Sequence, residues 1–127
     1  MDTVPRLLYL AVMPDDDVLM AVAQYLARCF SDGRSPHIGE LSQQLGTTPL
    51  ALSRSFMQAT GFKLGAFLRM QQVIRARRLL RWSSVPPSAV ARGCGYEQER
   101  TFYRAFRRAT GTTPLQYAEA AAPRIAP

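Results

Sequence analysis

Apolar side chains recur every three or four positions along much of the chain, which is the spacing of amphipathic helices. Between residues 17 and 30 five of them share one face: Val18, Val22, Tyr25, Leu26 and Cys29. The stretch from residue 64 to 82 lacks proline and has two apolar faces: Phe67, Met70 and Ile74, and Val73, Ala76 and Leu80. The turns are not flanked by the alternating apolar pattern of strand hairpins. The pattern therefore predicts an all-α fold.

A unit of about 25 residues occurs twice in the chain. Residues 54–61 read RSFMQATG and residues 104–111 read RAFRRATG, an offset of 50. Upstream, Leu45-Gly46 matches Cys94-Gly95 at an offset of 49, so one residue is gained after the glycine. Two copies are too few for a solenoid, which needs at least about three. The sequence therefore contains a duplicated supersecondary unit.

The first copy has the plan of a helix-turn-helix. Its short first helix carries three apolar residues at helical spacing: Ile38, Leu41 and Leu45. Gly46 suits the left-handed turn that ends a helix, and Thr48 and Pro49 are typical of an N-cap and a first helical position. A second helix then runs to Gly61, with one apolar face: Leu52, Phe56 and Ala59.

The second copy repeats this plan, with Pro86-Pro87 before the first helix, Gly95 in the turn and Gly111 after the second helix. Its apolar positions follow the same order: Val90, Ala91, Cys94, Phe102, Phe106 and Ala109. We expect the small residues Ser42 and Ala91 where helices cross closely. Both cysteines are expected in the core as small apolar side chains, and His37 at the surface.

The distribution of charge along the chain indicates a class of binding partner. The chain has 127 residues and a net charge of +7, with fractions of 47% hydrophobic and 20% charged residues that are ordinary for a globular protein. Residues 1–53 contribute −3 and residues 54–127 contribute +10. A basic half of this size favours a polyanionic partner, with nucleic acid as the first candidate and a membrane surface as the second.

Several other classes of protein are disfavoured. One histidine and two cysteines cannot supply a metal quartet, a disulfide framework or a nucleophile–base pair, so we expect no metal, no cofactor and no enzyme. The apolar stretch Leu7–Met13 is too short to span a bilayer, and its flanks do not resemble a signal peptide. We therefore expect a cytoplasmic protein that does not bind membranes.

The second copy resembles the signature of the AraC/XylS family of bacterial transcription regulators. The matching residues are Ala91, Gly95-Tyr96, Phe102, Arg104, Phe106-Arg107, Gly111, Thr113-Pro114 and Tyr117. The first copy matches through Leu41, Gly46, Leu52, Ser53-Arg54, Phe56 and Gly61. The resemblance implies about seven helices in two homeodomain-like units joined by a long linker helix, each unit placing its second helix in adjacent major-groove segments. Arg100, Thr101 and Ala118 depart from the family's usual residues, which concerns sequence preference and not the fold.

These patterns divide the chain into five expected parts. They are an extension (1–14), a first helix-turn-helix subdomain (15–62), a linker helix (63–83), a second subdomain (84–119) and a tail (120–127). A linker of this length spans roughly 27 Å, enough to hold two recognition helices about one DNA turn apart. We expect no room for a sensor domain within these residues, so the chain is either a stand-alone regulator or the DNA-binding end of a longer one.

Candidate DNA contacts lie on the outward faces of the two recognition helices. The candidates for reading bases are Leu50, Ser53, Arg54, Glu99, Arg100, Tyr103 and Arg104. The candidates for phosphate contact are Thr48, Met57, Arg75, Arg78, Gln98, Thr101 and Arg107. Arginine can bind two acceptors of guanine or a phosphate, so the role of Arg104 stays open.

Several of these residues have structural alternatives. Leu50 and Met57 are apolar, so packing competes with DNA contact for both. For Arg54 the alternative is an ion pair. Glu99 is placed either to accept a hydrogen bond from cytosine or to hold Arg100 or Arg104 in position.

The leading hypothesis is a sequence-specific bacterial transcription regulator, associated with the nucleoid, that binds double-stranded DNA as a monomer and has RNA polymerase as a further partner. The alternative is an interaction module that recruits or blocks RNA polymerase or another regulator and binds DNA weakly. The apolar residues of the first recognition helix favour this alternative.

Overall fold

The computed structural model describes residues 15–121, and this part of the chain contains seven helices and no strand. The helices are α1 (Asp15–Asp32), α2 (Ile38–Gln44), α3 (Pro49–Thr60), α4 (Leu64–Trp82), α5 (Pro87–Gly93), α6 (Glu99–Thr110) and α7 (Pro114–Ala121). The predicted all-α fold is confirmed. The expected extension, 1–14, and residues 122–127 of the expected tail lie outside the described residues. None of the described helices has the length and apolar character needed to cross a membrane.

The described chain forms two compact units. The first comprises residues 15–29 and Pro36–Leu68, and the second comprises Phe30–Ser35 and residues 69–121. Phe30–Ser35 was predicted to belong to the first subdomain (15–62), whereas it groups with the second unit. The Ser35 hydroxyl donates a hydrogen bond to the Gly95 carbonyl, and the Arg75 guanidinium lies 5.1 Å from the centre of the Phe30 ring.

The core of the first unit is formed by the apolar stripe of α1 and by buried side chains of α2, α3 and the start of α4. Its fully buried side chains include Val22, Tyr25, Cys29, Leu41, Leu52, Phe56 and Leu64. Tyr25 carries the one polar group of that stripe, and its hydroxyl donates to Glu40 Oε1 at 2.7 Å and accepts from the His37 N–H at 2.8 Å. These bonds satisfy the phenol at the start of α2, and His37 itself is exposed as predicted.

The first helix-turn-helix has the predicted caps. Gly46 takes the left-handed conformation, with φ of 69°, and Gly61 ends α3 with φ of 79°. The Thr48 hydroxyl accepts a hydrogen bond of 3.1 Å from the Ala51 N–H, and Pro49 occupies the first turn of α3. The cap satisfies one of the N–H groups that a helix start leaves unpaired.

The core of the second unit repeats this arrangement. Its buried side chains are Val73, Ala76, Leu80, Val90, Ala91, Cys94, Phe102 and Phe106. Tyr117 of α7 covers one side of this cluster and meets the Phe106 ring edge-on at 5.5 Å. The predicted burial of both small crossing residues, Ser42 and Ala91, and of both cysteines is confirmed.

Two predictions of buried positions and one prediction of a helix end differ from the structure. Met70 is 49% exposed and Ala109 is exposed, although periodicity placed both on apolar faces. Ala120, predicted to begin the tail, lies in the last turn of α7.

The start of α7 carries a signal that periodicity missed. The Thr113 hydroxyl accepts from the Gln116 N–H at 3.1 Å, and the Gln116 side chain accepts from the Thr113 N–H at 3.1 Å. This reciprocal pair is a capping box, which is recognisable in sequence as Thr-x-x-Gln.

Candidate nucleic-acid interface

The outward face of α3 combines one cation with apolar side chains. Leu50 is 60% exposed and Met57 is 39% exposed, while Arg54 is exposed and Ser53 is half-buried. The opposite face of the helix is held in the core by Leu52 and Phe56. The structure therefore brings these four candidates together on one solvent-facing stripe.

Arg54 is available for an external ligand. Within the described residues it makes no ion pair, so the structural alternative finds no support there. Arg54 lines a groove with Met57 and with Lys63, which was not among the predicted contacts. Lys63 lies beyond the end of α3, outside the repeating stripe, and its charge was the signal that could have identified it. The Thr48 hydroxyl, by contrast, is already engaged as a cap.

The outward face of α6 is strongly basic. Glu99, Thr101, Arg104 and Arg107 are exposed, and Arg100 is exposed one turn before Arg104. Phe102 and Phe106 are fully buried on the opposite face, which fixes the orientation of the helix. Arg108 is a fourth exposed arginine on this helix, and its position four residues after Arg104 is the signal that could have identified it.

The remaining candidates of α6 lie at its first turns. Gln98 is the N-cap residue, but its side chain makes no capping hydrogen bond. Tyr103 is half-buried, with its ring 5.8 Å from that of Phe102. Glu99 makes no ion pair with Arg100 or Arg104 among the described residues, although its position in the first turn suits the helix dipole.

The two candidate arginines of the linker helix, Arg75 and Arg78, have different surroundings. Arg75 is half-buried, and its Nε donates a hydrogen bond of 2.8 Å to the Gly93 carbonyl while its guanidinium lies over Phe30. Arg78 is exposed and lines a groove with Arg81 and Trp82.

The turn that precedes α6 contains two groups with perturbed acidity. Burial raises the pKa of the Cys94 thiol to about 12, against a smaller opposing effect of Arg75. Burial also raises the pKa of Tyr96 to about 12, assisted by Cys94 and opposed by Arg69. Both groups are therefore neutral at ordinary pH, and Cys94 behaves as a core residue and not as a reactive thiolate.

The turns share one unusual feature. Among the described residues, the Tyr96 hydroxyl and the Thr47 hydroxyl are buried without a hydrogen-bond partner. The two residues occupy corresponding positions, each directly after the turn glycine. Neither turn offers a metal site, because the described part of the chain contains no group of three His, Cys, Asp or Glu side chains arranged to hold an ion.

Comparison with known proteins agrees with this geometry. A family model described as a helix-turn-helix domain matches residues 41–120. The arabinose operon regulatory protein of Escherichia coli (strain K12) is 26% identical over 104 residues, covering 82% of this chain and 35% of that protein. The transcriptional activator RhaR of Yersinia pseudotuberculosis serotype O:3 (strain YPIII) is 30% identical over 110 residues, covering 84% of this chain and 36% of that protein.

A solved structure gives the same result. The DNA-binding domain of AdpA, a global transcriptional factor crystallised with a target DNA, superposes with a TM-score of 0.70 at 26% identity, covering 82% of this chain and 95% of that one. The fold and site define a double helix-turn-helix protein of the DNA-binding class. The chain belongs to the AraC-type helix-turn-helix family of transcription regulators, as the sequence signature predicted. It spans about a third of the length of the curated relatives it matches.

Proposed function

We propose that this chain regulates transcription by binding double-stranded DNA sequence-specifically, with α3 and α6 each entering one of two adjacent major-groove segments. The observation that carries the proposal is the two-faced character of both helices. Phe56 and Phe106 anchor one face in the core, while the other presents Arg54 on α3 and four arginines on α6 to solvent. Family membership and the DNA complex of AdpA support the same function.

We assign base reading first to α6. Arg100 and Arg104 are exposed, make no ion pair within the described chain, and can each bind the two acceptors of guanine. Arg54, Ser53 and Leu50 are the corresponding proposal for α3, with Leu50 suited to a thymine methyl group. Tyr103 and Glu99 complete the set at α6.

We assign phosphate contact to side chains that are exposed and not used inside the protein. Arg107, Thr101 and Gln98 meet this condition on α6, and Arg78 meets it on α4. The remaining candidate, Arg75, is already engaged by the Gly93 carbonyl. Met57 and Thr48 flank the corresponding path on α3, where Thr48 contributes through its place at the helix N-terminus. Phosphate neutralisation releases counterions, so binding should weaken steeply as salt is raised.

The wider setting is also a proposal. RNA polymerase is a suitable second partner because the relatives are named as an operon regulator and an activator. We propose that the chain binds DNA as a monomer in the bacterial cytoplasm, associated with the nucleoid. Catalysis has no part in this function.

Binding to DNA upstream of the chain's own gene tests the proposal. Fluorescence anisotropy should find at least one fragment that binds about 10³-fold more tightly than random duplex. The double variant Arg100→Ala/Arg104→Ala should lose this preference, while Arg92→Ala, an exposed arginine on α5, should keep it. Equal affinity for every fragment would overturn sequence-specific regulation.

The exposed Leu50 and Met57 favour a second candidate, an interaction module that recruits or blocks RNA polymerase or another regulator. In that case α3 contacts protein, and Leu50→Ala should abolish partner binding without changing DNA affinity. Tight specific DNA binding by the chain alone, together with no partner contact at Leu50, would count against this candidate.

A further inference from the structure

A groove in the second unit lies between the end of α4 and α7. It is lined by Ile74, Arg77, Arg78, Arg81, Trp82 and Tyr117. The guanidinium groups of Arg77 and Arg81 lie 5.8 and 6.0 Å from the centre of the Tyr117 ring, and Arg77 Nε is 3.5 Å from the Tyr117 hydroxyl. The Tyr117 ring therefore contacts two cations that both line the groove.

The charge of this groove is not neutralised from within. No carboxylate lines it, and within the described residues Arg77, Arg78 and Arg81 make no ion pair. Trp82 is 80% exposed at the same place. Tryptophan, tyrosine and arginine are the residues that most often carry the energy of protein interfaces, and here they are adjacent.

The fold does not require this arrangement. Phe67 of the first copy corresponds to Tyr117, and it packs against Phe56 at 5.0 Å as Tyr117 packs against Phe106. Among the described residues no arginine lies over the Phe67 ring. Within the described residues, arginines therefore lie over the aromatic ring at this position in the second unit and not in the first.

The groove lies away from the DNA-reading face of α6. Tyr117 contacts Phe106, which is on the buried face of that helix, and the arginines lie on the ring of Tyr117. Arg100 and Arg104 point from the opposite side of α6. A duplex that contacts only the Arg100 and Arg104 side of α6 would leave the groove open, which favours a protein ligand over DNA phosphates.

We propose that this groove binds an acidic peptide segment of a partner protein, one that carries an aromatic or aliphatic residue between its carboxylates. Planar guanidinium groups bind carboxylates through paired hydrogen bonds, and two such groups are already oriented by Tyr117. The apolar residue of the peptide packs on Trp82 and Ile74. The surface is separate from the DNA contacts proposed on α3 and α6, so the chain can bind DNA through these helices and this partner together.

Titration of the full chain with a fluorescein-labelled EDFEDL peptide tests the proposal. The double variant Arg77→Gln/Arg81→Gln should weaken binding at least about 10-fold, a loss of ~1.4 kcal/mol. A matched control, Arg92→Gln/Arg108→Gln, removes the same charge elsewhere and should change binding less than about 3-fold. Trp82→Ala should weaken EDFEDL but not EDGEDG, and the neutral peptide QNFQNL should not bind.

Three outcomes would overturn the proposal. If the test and control variants lose the same amount of peptide affinity, the peptide is attracted by the net charge of the protein alone. Exclusion of the peptide by a random-sequence duplex at low salt means that the groove belongs to the DNA surface. If EDFEDL does not bind the wild-type chain, the groove is not a binding site for acidic peptides.

Further variants separate folding and DNA binding from this result. Arg77→Lys/Arg81→Lys keeps the charge and should weaken binding by an intermediate amount, which serves if the glutamine variant fails to fold. Unchanged binding in the lysine variant would contradict paired recognition by guanidinium groups. Peptide binding to the DNA-free chain does not depend on the proposed regulatory function, so the two can fail separately.

Discussion

Arg75 donates a hydrogen bond of 2.8 Å from Nε to the carbonyl oxygen of Gly93, and the same guanidinium lies 5.1 Å from the centre of the Phe30 ring. Gly93 ends α5, where the last carbonyl groups of a helix have no partner within the helix. A cation at this end also suits the helix dipole. Arg75 therefore fixes the end of α5 and holds the Phe30–Ser35 segment against it.

These contacts predict that Arg75 stabilises the fold and does not bind DNA. Arg75→Ala should lower the free energy of unfolding in urea by about 1.5–3 kcal/mol, since it removes a charge-assisted hydrogen bond from a half-buried site. The salt dependence of DNA binding should keep its slope. Arg107→Ala should do the opposite, with stability nearly unchanged and the slope reduced by about 0.9. A reduced slope for Arg75→Ala would assign that residue to a phosphate.

Substitutions at Gly95 and Gly111 distinguish two energetic costs of replacing a turn glycine: backbone strain and steric overlap of the new Cβ atom. Both have positive φ, 81° and 80°, so alanine at either position is strained by roughly 1–2 kcal/mol. A Cβ atom at Gly111 meets nothing within 4 Å, whereas one at Gly95 would collide with the Arg34 carbonyl oxygen. Gly95→Ala should therefore cost about 1–3 kcal/mol more than Gly111→Ala in urea unfolding. Equal costs would show that the 30–35 segment yields without penalty.

Helix ends and buried helix faces could be predicted from the sequence, whereas the close contact at Gly95 could not. Helix ends were predictable because local chemistry decides them: Gly61 and Gly111 stop helices, and Thr48 caps α3. The buried faces were predictable because Phe56 and Phe106 recur at helical spacing on duplicated units. Each of these signals lies within a few residues of the feature that it determines.

The remaining features depend on contacts between distant parts of the chain. Nothing near Gly95 in sequence indicates that Arg34 lies against it, and nothing near Arg75 indicates that Gly93 accepts its hydrogen bond. The charge pattern made Arg75 and Arg78 equal candidates for phosphate contact, although their neighbours in the structure differ. The solvent-facing sides of α3 and α6 were predictable from the helical spacing of their residues. Which base or phosphate each arginine meets depends on DNA, so Arg104 and the other contacts stay predictions.

Burial of Cys94 predicts a pH dependence of stability. The thiol pKa is raised to about 12 in the folded protein, against ~8.5 in an unfolded chain. The unfolded chain therefore releases this proton above ~8.5 while the folded chain keeps it, so the stabilisation is fully present below ~8.5 and declines as pH rises toward 12. Between pH 8.5 and 9.5 the contribution of Cys94 to the free energy of unfolding should fall by about 1 kcal/mol.

Urea unfolding under reducing conditions measures this effect. Cys94→Ala should have a shallower decline in stability than wild type over that interval, whatever its stability at neutral pH. The interval ends below pH 10, where Tyr96, whose pKa burial raises to about 12, begins to contribute in the same direction. Identical slopes in the two proteins would mean that the folded thiol titrates as freely as the unfolded one.

Arg104 and Arg54 occupy corresponding positions on the two recognition helices, both exposed and opposite a buried phenylalanine. If Arg104 reads a base, Arg104→Ala should weaken specific binding by about 1–3 kcal/mol and relax preference at one base pair. Arg54→Ala should relax a different base pair, because it belongs to the other helix. Anisotropy against a set of single-base variants of the bound fragment measures both effects. A loss for Arg104→Ala that is equal on all sequences, with a shallower salt dependence, would place this arginine on a phosphate and leave Arg100 as the principal reader on α6.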